Sequence, residues 1–343
     1  MTSLLADIGA TIPVLAAPMA GGATTPAMVT AAASAGSIGV LAAGYKSPAE
    51  LAEQISSVRA ATSRFGVNLF APNPVTVDPS EYRAYVRRMQ AEAGRRGIAV
   101  DVGEPREDDD AWQEKVDLLT HDAVPVVSFT FGVPDPGTIR DLRAAGSVIL
   151  LTVTSAREAE AAISAGADAL VVQASAAGGH SGTFTPRETP PALPIDVLLR
   201  SVRSITRVPL IAAGGMSTPD GVVNALTAGA DAVAVGTALL QTPESGASPT
   251  YRNALADPRF TRTVLTRAFT GRPARALSND FTTRHSASAP SGYPALHHLT
   301  IPLRRAAAAA GDPQGLHLWA GTGYRNIPAG DTQGVLAHLA SGV

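Results

Sequence analysis

Amides, glycines and one histidine stand where apolar segments of this sequence end, and such residues could bind a flat anionic ligand and exchange a proton. The clearest case is residues 169–182, in which an apolar run is followed by two glycines and His180. Gln173 ends that run, and Gly178 and Gly179 lack the Cβ atoms that would hold a ligand away from the backbone. The histidine could act as a proton acceptor or could simply cap a backbone carbonyl, and its position favours the first role.

Four more residues, two after one predicted strand and two after the next, indicate a phosphate site: Gly214, Gly215, Gly236 and Thr237. The first pair precedes a predicted helix that begins near Pro219. Free backbone N–H groups and a helix N-terminus bind phosphate at this place in barrel enzymes, although the same glycines could serve only as tight turns. Asn68 ends another run, and its amide suits the edge of a flavin ring or a ribityl chain if a phosphate site shares the rim.

The composition excludes several kinds of chemistry. The 343 residues include no cysteine, which rules out thiolate catalysis, and no His-x-x-x-His pair offers zinc ligands. The runs end without a carboxylate pair for glycoside chemistry and without a Ser/His/Asp triad. A bound organic cofactor is therefore the natural source of reactivity, and we expect no metal.

Charge and histidine content give further expectations. The net charge of −2 argues against a nucleic-acid partner, and we expect the acidic residues 108–110 and the pair Arg304-Arg305 to be solvated. Surface or structural roles are the default for the remaining histidines: His121, His285, His297, His298, His317 and His338. No signal peptide and no apolar run of about 20 residues is visible, so we expect a cytoplasmic protein without a membrane segment.

Eight short apolar runs alternate with helix-like segments and predict the scaffold: residues 14–19, 37–43, 65–70, 124–131, 148–153, 169–174, 209–213 and 232–240. Capping residues before proline, such as Ser47-Pro48 and Thr218-Pro219, begin the intervening helices, and glycines such as Gly166 end them. Eight such units predict an α/β fold of the TIM (β/α)8 barrel type. An open doubly wound sheet is the alternative, but it usually has fewer strands.

The alternation stops after the eighth run. Residues 1–240 therefore form the predicted cofactor-binding barrel, and residues 241–315 form a helical lid or insertion, which is a small, mainly helical second domain. Residues 316–343 return with an aromatic residue and two glycines, and we expect this segment to fold back over the barrel mouth.

Six groups of residues, in order along the chain, resemble the motifs of the nitronate monooxygenase family, formerly called 2-nitropropane dioxygenases. They are Ala17-Pro-Met19, Val67-Asn-Leu-Phe70, Gln173 with Ala177-Gly-Gly-His180, Ala212-Ala-Gly-Gly215 with Gly236-Thr237, Thr270-Gly-Arg-Pro-Ala-Arg275 with Asn279, and Leu318-Trp-Ala-Gly321. The resemblance implies an FMN-binding barrel that oxidises alkyl nitronates, and nitroalkanes as well, with O2 to a carbonyl compound and nitrite.

By position, the resemblance makes His180 the catalytic residue and implies these cofactor-binding residues: Ala17, Pro18, Met19, Asn68, Gln173, Gly178, Gly179, Gly214, Gly215, Gly236, Thr237 and Tyr324. Tyr324 would close the site. One motif departs from the family, whose usual Gln-Gly-x-Glu-Ala reads Gln173-Ala-Ser-Ala-Ala177 here, so that Ala174 and Ala176 replace a glycine and an acid. Two alternatives stay open: a flavin-dependent enoyl-thioester reductase that uses NAD(P)H and has a similar Gly-Gly-His loop, and, because of the lost acid, a flavin-binding protein without this catalysis.

Overall fold

Each of the eight apolar runs contains one strand of a closed parallel barrel in the computed structural model, which describes residues 4–73, 75–100 and 103–343. In barrel order the strands are β1 (Val14–Ala16), β2 (Gly39–Ala42), β3 (Phe65–Phe70), β4 (Val126–Thr130), β5 (Val148–Val153), β6 (Ala169–Gln173), β8 (Leu210–Ala213) and β9 (Ala232–Val235). The last strand pairs with the first, since Leu15 lies opposite Ala234. The predicted TIM (β/α)8 barrel is confirmed, and the open sheet is excluded.

Nine helices surround the barrel or connect its strands in the described part of the chain: α1 (Leu4–Ile8), α2 (Pro26–Ser34), α3 (Pro48–Arg59), α4 (Pro79–Arg95), α5 (Trp112–His121), α6 (Pro136–Ala144), α7 (Ala156–Ala165), α8 (Ile195–Arg203) and α9 (Pro219–Thr227). The predicted caps are present. Ser47 forms a capping box with Glu50, and the Thr218 side chain accepts from the Gly221 N–H at the start of α9. These caps fix where each helix begins and therefore where each strand-to-helix loop ends.

The main core lies between the strands and this ring of helices, as it must when both faces of a parallel sheet are covered. Strand residues such as Val67, Leu151 and Val233 are fully buried there. None of the helices in the described ranges is long and apolar enough to cross a membrane.

Residues 241–315 are mainly helical, with α10 (Pro249–Ala256), α11 (Asp280–His285) and α12 (Ala295–Ala309). They also contain an antiparallel pair of strands that the sequence did not predict, β10 (Thr263–Thr266) and β11 (Ala274–Leu277). Strand β11 pairs in turn with β7 (Gly179–His180), so that Ala274 lies opposite His180. This pairing joins segments that are far apart in sequence, and no local pattern announces it.

The C-terminal segment crosses the mouth of the barrel. The Leu277 N–H donates to the Leu318 carbonyl at 2.8 Å, and the Thr322 N–H donates to the Ala176 carbonyl at 3.0 Å. Helix α13 (Thr332–Leu339) then packs against α2 on the outside of the barrel. The division of the chain at residues 240 and 315 stays a prediction.

Candidate active site

A cavity of about 570 Å³ opens at the carboxyl ends of the barrel strands, between the barrel, α12 and the C-terminal segment. Its volume lies within the range of small-molecule and cofactor sites. It is lined by twelve of the thirteen predicted site residues: Ala17, Pro18, Met19, Asn68, Gln173, Gly178, Gly179, His180, Gly214, Gly215, Gly236 and Thr237. The structure therefore brings together residues that are widely separated in sequence.

Tyr324 is the exception. Its ring is buried among apolar residues, and its hydroxyl donates to the Phe260 carbonyl at 2.6 Å. The neighbouring Gly321 and Gly323 line the cavity instead. The structure therefore gives Tyr324 a packing role, because both its ring and its hydroxyl are already engaged away from the cavity.

The loops after β8 and β9 have the geometry of an anion cradle. Gly214 and Gly215 have φ angles of +107° and +84°, a conformation that residues with a side chain rarely adopt. Within the described residues, no hydrogen bond uses the N–H groups of Gly214, Gly215 or Gly236. A nine-residue helix, α9, begins just beyond the first loop. Free N–H groups beside a helix N-terminus attract a phosphate group.

The two predicted amides line the cavity but are partly engaged by the protein. The side chain of Gln173 accepts from the Gly182 N–H at 2.7 Å and donates to the His180 carbonyl at 3.2 Å, which fastens the histidine loop. Asn68 donates to the Ser128 hydroxyl at 2.9 Å. No described group donates to the Asn68 Oδ1, so this oxygen can accept a hydrogen bond from a ligand.

His180 projects from β7 into a partly aromatic wall. Its Nε2 lies 2.9 Å from the Thr270 hydroxyl, and its ring centroid lies 5.3 to 5.9 Å from the rings of Phe131, Tyr293 and Trp319. Burial, together with the nearby charges of Arg272 and Arg304, lowers the pKa of His180 to about 3. The imidazole is therefore neutral at physiological pH and can accept a proton.

The cavity carries positive charge and no carboxylate, because no Asp or Glu lies among the described residues that line it. Arg304, only 9 % exposed, lines it together with Arg305. The Arg304 guanidinium contacts Thr300, His297 and His317, and none of these is an acid. Such a lining favours an anionic ligand.

Several of these residues contradict the expectations from sequence. Arg304 is not solvated, and His297 and His317 line the cavity rather than the surface. The spacing of His297, Ile301, Arg304, Arg305 and Ala308 on α12 places them on one helical face, and that periodicity was the signal that could have found them. Tertiary packing turns that face towards the barrel mouth.

Asp110 was also expected to be solvated but holds the cavity rim. Its carboxylate pairs with the buried Lys115 ammonium at 2.7 Å and accepts from the Tyr45 N–H at 2.9 Å. Tyr45 lines the cavity, and its ring stacks on His297 with centroids 4.2 Å apart. A buried lysine needs a counter-charge, which explains why this member of the acidic run is drawn inwards.

The arrangement can be compared with known proteins. The nitronate monooxygenase profile matches residues 2–335. A probable nitronate monooxygenase from Staphylococcus aureus (strain Newman) is 35% identical over 321 residues, covering 91% of this chain and 89% of that protein. This chain belongs to the nitronate monooxygenase family. The resemblance seen in the sequence is thereby confirmed.

Solved structures agree with this family membership. A nitroalkane oxidase from Streptomyces ansochromogenes is similar to this nitronate monooxygenase family member with a TM-score of 0.92 and 43% identity, covering 98% of this chain and 96% of that one. FabK from Thermotoga maritima has a TM-score of 0.77 and 24% identity, covering 100% of this chain and 96% of that chain. The second likeness concerns the fold alone.

The departure from the family motif lies beside the glycine cradle. The Ala176 Cβ would lie 3.3 Å from a Cβ placed on Gly215, and the Ala176 carbonyl accepts from Thr322. Ala174 is buried at the end of β6. An acid at position 176 would bring negative charge towards the cradle, whereas alanine leaves the cradle free to hold an anion.

Proposed function

We propose that this protein is an FMN-dependent oxidase that converts alkyl nitronates, and small neutral nitroalkanes, to a carbonyl compound and nitrite with O2. The observation that carries the proposal is the neutral His180 facing a cavity that contains buried arginine and no carboxylate among its described lining residues. A nitronate is a small anion, and a nitroalkane becomes one when it loses its α-proton. Membership of the nitronate monooxygenase family supports the same reaction class.

The residues present fit a flavin phosphate. The free N–H groups of Gly214, Gly215 and Gly236 would hold the phosphate, and Asn68 Oδ1 would accept from the ring system. A Cβ at Gly178 would meet the Gly321 N at 2.5 Å, so the loops in this region approach as closely as glycine allows. When bound, FMN supplies the capacity to accept electrons from the substrate and to pass them to dioxygen.

His180 would accept the α-proton of a neutral nitroalkane. Its ring is neutral and fixed by Thr270, so one ring nitrogen offers a lone pair to the substrate. Proton transfer would leave a nitronate anion next to the new imidazolium, and the negative charge of the nitronate would offset the cost of burying the positive charge on the ring. A substrate supplied as the nitronate does not need this step, and there His180 would orient the anion.

The remaining lining residues would select the substrate. Arg304 would raise the local concentration of anions, because its charge has no carboxylate partner among the described residues. Apolar side chains such as Met19, Phe131 and Trp319 would exclude water and favour short alkyl groups.

Spectroscopy of the purified protein tests the proposal. We expect a yellow protein whose flavin bleaches on anaerobic addition of an alkyl nitronate and recovers in air with release of nitrite. Bleaching by NADPH, with no response to nitronates, would replace the proposal with the enoyl-thioester reductase. A yellow protein that responds to neither would be a flavin-binding protein without this chemistry.

The role of His180 can be tested with a matched pair of variants. His180→Gln should keep the flavin and lose at least about 100-fold in nitroethane turnover, because general-base catalysis typically contributes that much. His121→Gln, on an exposed helix end, should retain wild-type rates. Equal rates in both variants would remove His180 from the mechanism.

A further inference from the structure

Arg272 is a completely buried arginine beside His180, and it has no carboxylate partner in the described part of the chain. It lies in the loop that precedes β11, and its Cζ stands 3.9 Å from the centroid of the Phe131 ring. Its Nη1 has no hydrogen-bond partner among the described residues. Such a charge is unfavourable in a protein core unless it serves a purpose there.

The side-chain hydrogen bonds of Arg272 all reach the loop that carries the predicted base or the end of the neighbouring strand. Its Nε donates to the Ser181 carbonyl at 3.3 Å, and its Nη2 donates to the Thr183 carbonyl. The loop that contains Arg272 makes two more contacts. The Thr270 hydroxyl lies 2.9 Å from Nε2 of the His180 ring, and the Pro273 carbonyl accepts from the Ser181 N–H at 2.8 Å. Residues 270–273 thus hold both the ring and the backbone around His180.

Arg272 also holds the aromatic wall next to His180. Phe131 has a φ of +87°, which is rare for a residue with a side chain, and its carbonyl accepts from Asn73 at 2.6 Å and from Arg272 at 3.5 Å. The Phe131 ring meets the His180 ring edge-on with centroids 5.7 Å apart. A strained residue in contact with a predicted base indicates that the surrounding contacts fix this wall in place.

Among the described residues, no carboxylate forms an ion pair with Arg272. The second cation is Arg304 on α12, and burial keeps the pKa values of His297 and His317 low, so that both rings are neutral. Burial also raises the pKa of the Tyr293 hydroxyl, which therefore stays protonated. The charge of Glu158 does act on Arg272, but its carboxylate already accepts hydrogen bonds from the hydroxyls of Thr154 and Thr183 and from the Phe184 N–H.

We propose that Arg272 is a positioning residue for His180, which fixes the loop that carries the imidazole and keeps the ring in its neutral, proton-accepting form. The inference rests on the proposed function, in which His180 accepts the α-proton of the substrate. Burial is the main cause of the low pKa of His180, and the positive charge of Arg272 adds to it because it disfavours a second positive charge nearby.

The test compares Arg272→Gln, Arg272→Lys and Arg267→Gln in the flavin-loaded protein. Arg267 is a matched control, because its guanidinium also donates to loop carbonyls, those of residues 186–188, but it does not line the cavity. The readouts are the pH dependence of kcat/KM with nitroethane and the titration of the His180 imidazole by NMR, assigned with His180→Gln. The titration needs no substrate, so it separates a failure of this inference from a failure of the proposed function.

Loss of the charge should raise the His180 titration midpoint, and the acid limb of kcat/KM, by about one pH unit or more in Arg272→Gln. Arg272→Lys keeps the charge and should keep the wild-type midpoint while kcat falls, since lysine cannot hold two carbonyls in the same geometry. Arg267→Gln should match wild type in both readouts. A wild-type midpoint for His180 near 6.5, or an unchanged midpoint in Arg272→Gln, would overturn the inference even if one variant folds poorly.

Discussion

Gly178→Ala is the most direct perturbation of the contact between the histidine loop and the C-terminal segment. A Cβ at position 178 would lie 2.5 Å from the Gly321 N, 2.7 Å from the Ala320 carbonyl carbon and 2.9 Å from the Ala320 Cα. All three are backbone atoms, so no side-chain rotation can relieve the overlap. Ordinary contact begins at 3.4 Å, and the segment must therefore retreat by roughly 1 Å.

This displacement of the C-terminal segment should lower the free energy of unfolding. Overpacking of this kind costs about 1 to 3 kcal/mol. The segment would also weaken two hydrogen bonds, from the Gly321 N–H to the Thr237 hydroxyl at 3.0 Å and from the Thr322 N–H to the Ala176 carbonyl at 3.0 Å. At about 1 kcal/mol each, their loss would bring the total to about 3 to 5 kcal/mol.

Urea unfolding followed by far-UV circular dichroism would measure this loss, with flavin absorbance recorded in parallel. Gly179→Ala separates strain from overlap, because its φ is +76° but its nearest new neighbour is the Trp319 Cβ at 4.0 Å, and it should lose only about 1 to 2 kcal/mol. Gly94→Ala, in α4 with no atom within 4 Å of the new Cβ, should gain about 0.5 to 1 kcal/mol. If Gly178→Ala unfolds at the wild-type urea concentration and binds flavin normally, the tight contact described for the segment is incorrect.

Two further perturbations test the cradle and the buried charge on α4. Gly215→Asp should expel the flavin because its carboxylate would face the phosphate, whereas Gly215→Asn, whose side chain has the same shape without the charge, should retain more flavin. Equal flavin occupancy in the two variants, measured by absorbance, would show that the phosphate does not bind beside Gly215. Burial alone would raise the pKa of Glu92, but hydrogen bonds from Arg95 and His285 outweigh it and lower the pKa to about 2 from 4.5. The resulting stabilisation is complete above pH 4.5 and is lost as the pH falls towards 2, so Glu92→Gln should cost about 3 kcal/mol at pH 7 and progressively less in acid, measured by urea unfolding at each pH.

The sequence by itself determined the barrel and most of the cavity wall. Parallel strands covered on both faces must be apolar throughout, so the eight runs were visible without any structural information. Prolines and capping residues marked the helix starts, and Ser47 caps its helix as predicted. Since the strands of a barrel all end on the same rim, residues as distant as Asn68 and Gly236 could be assigned to one site from their positions alone.

Only the tertiary structure decided which charged and aromatic side chains complete that site. Arg304 and His297 belong to a helix whose pattern does not say what it packs against, and Arg272 reaches His180 through a strand pairing between segments about ninety residues apart. Tyr324 is the opposite case. It follows a cavity-lining motif in the sequence, but its side chain packs in the protein interior away from the cavity. Local periodicity fixes which face of an element is apolar, but the partner of that face depends on long-range packing, which no short window of sequence contains.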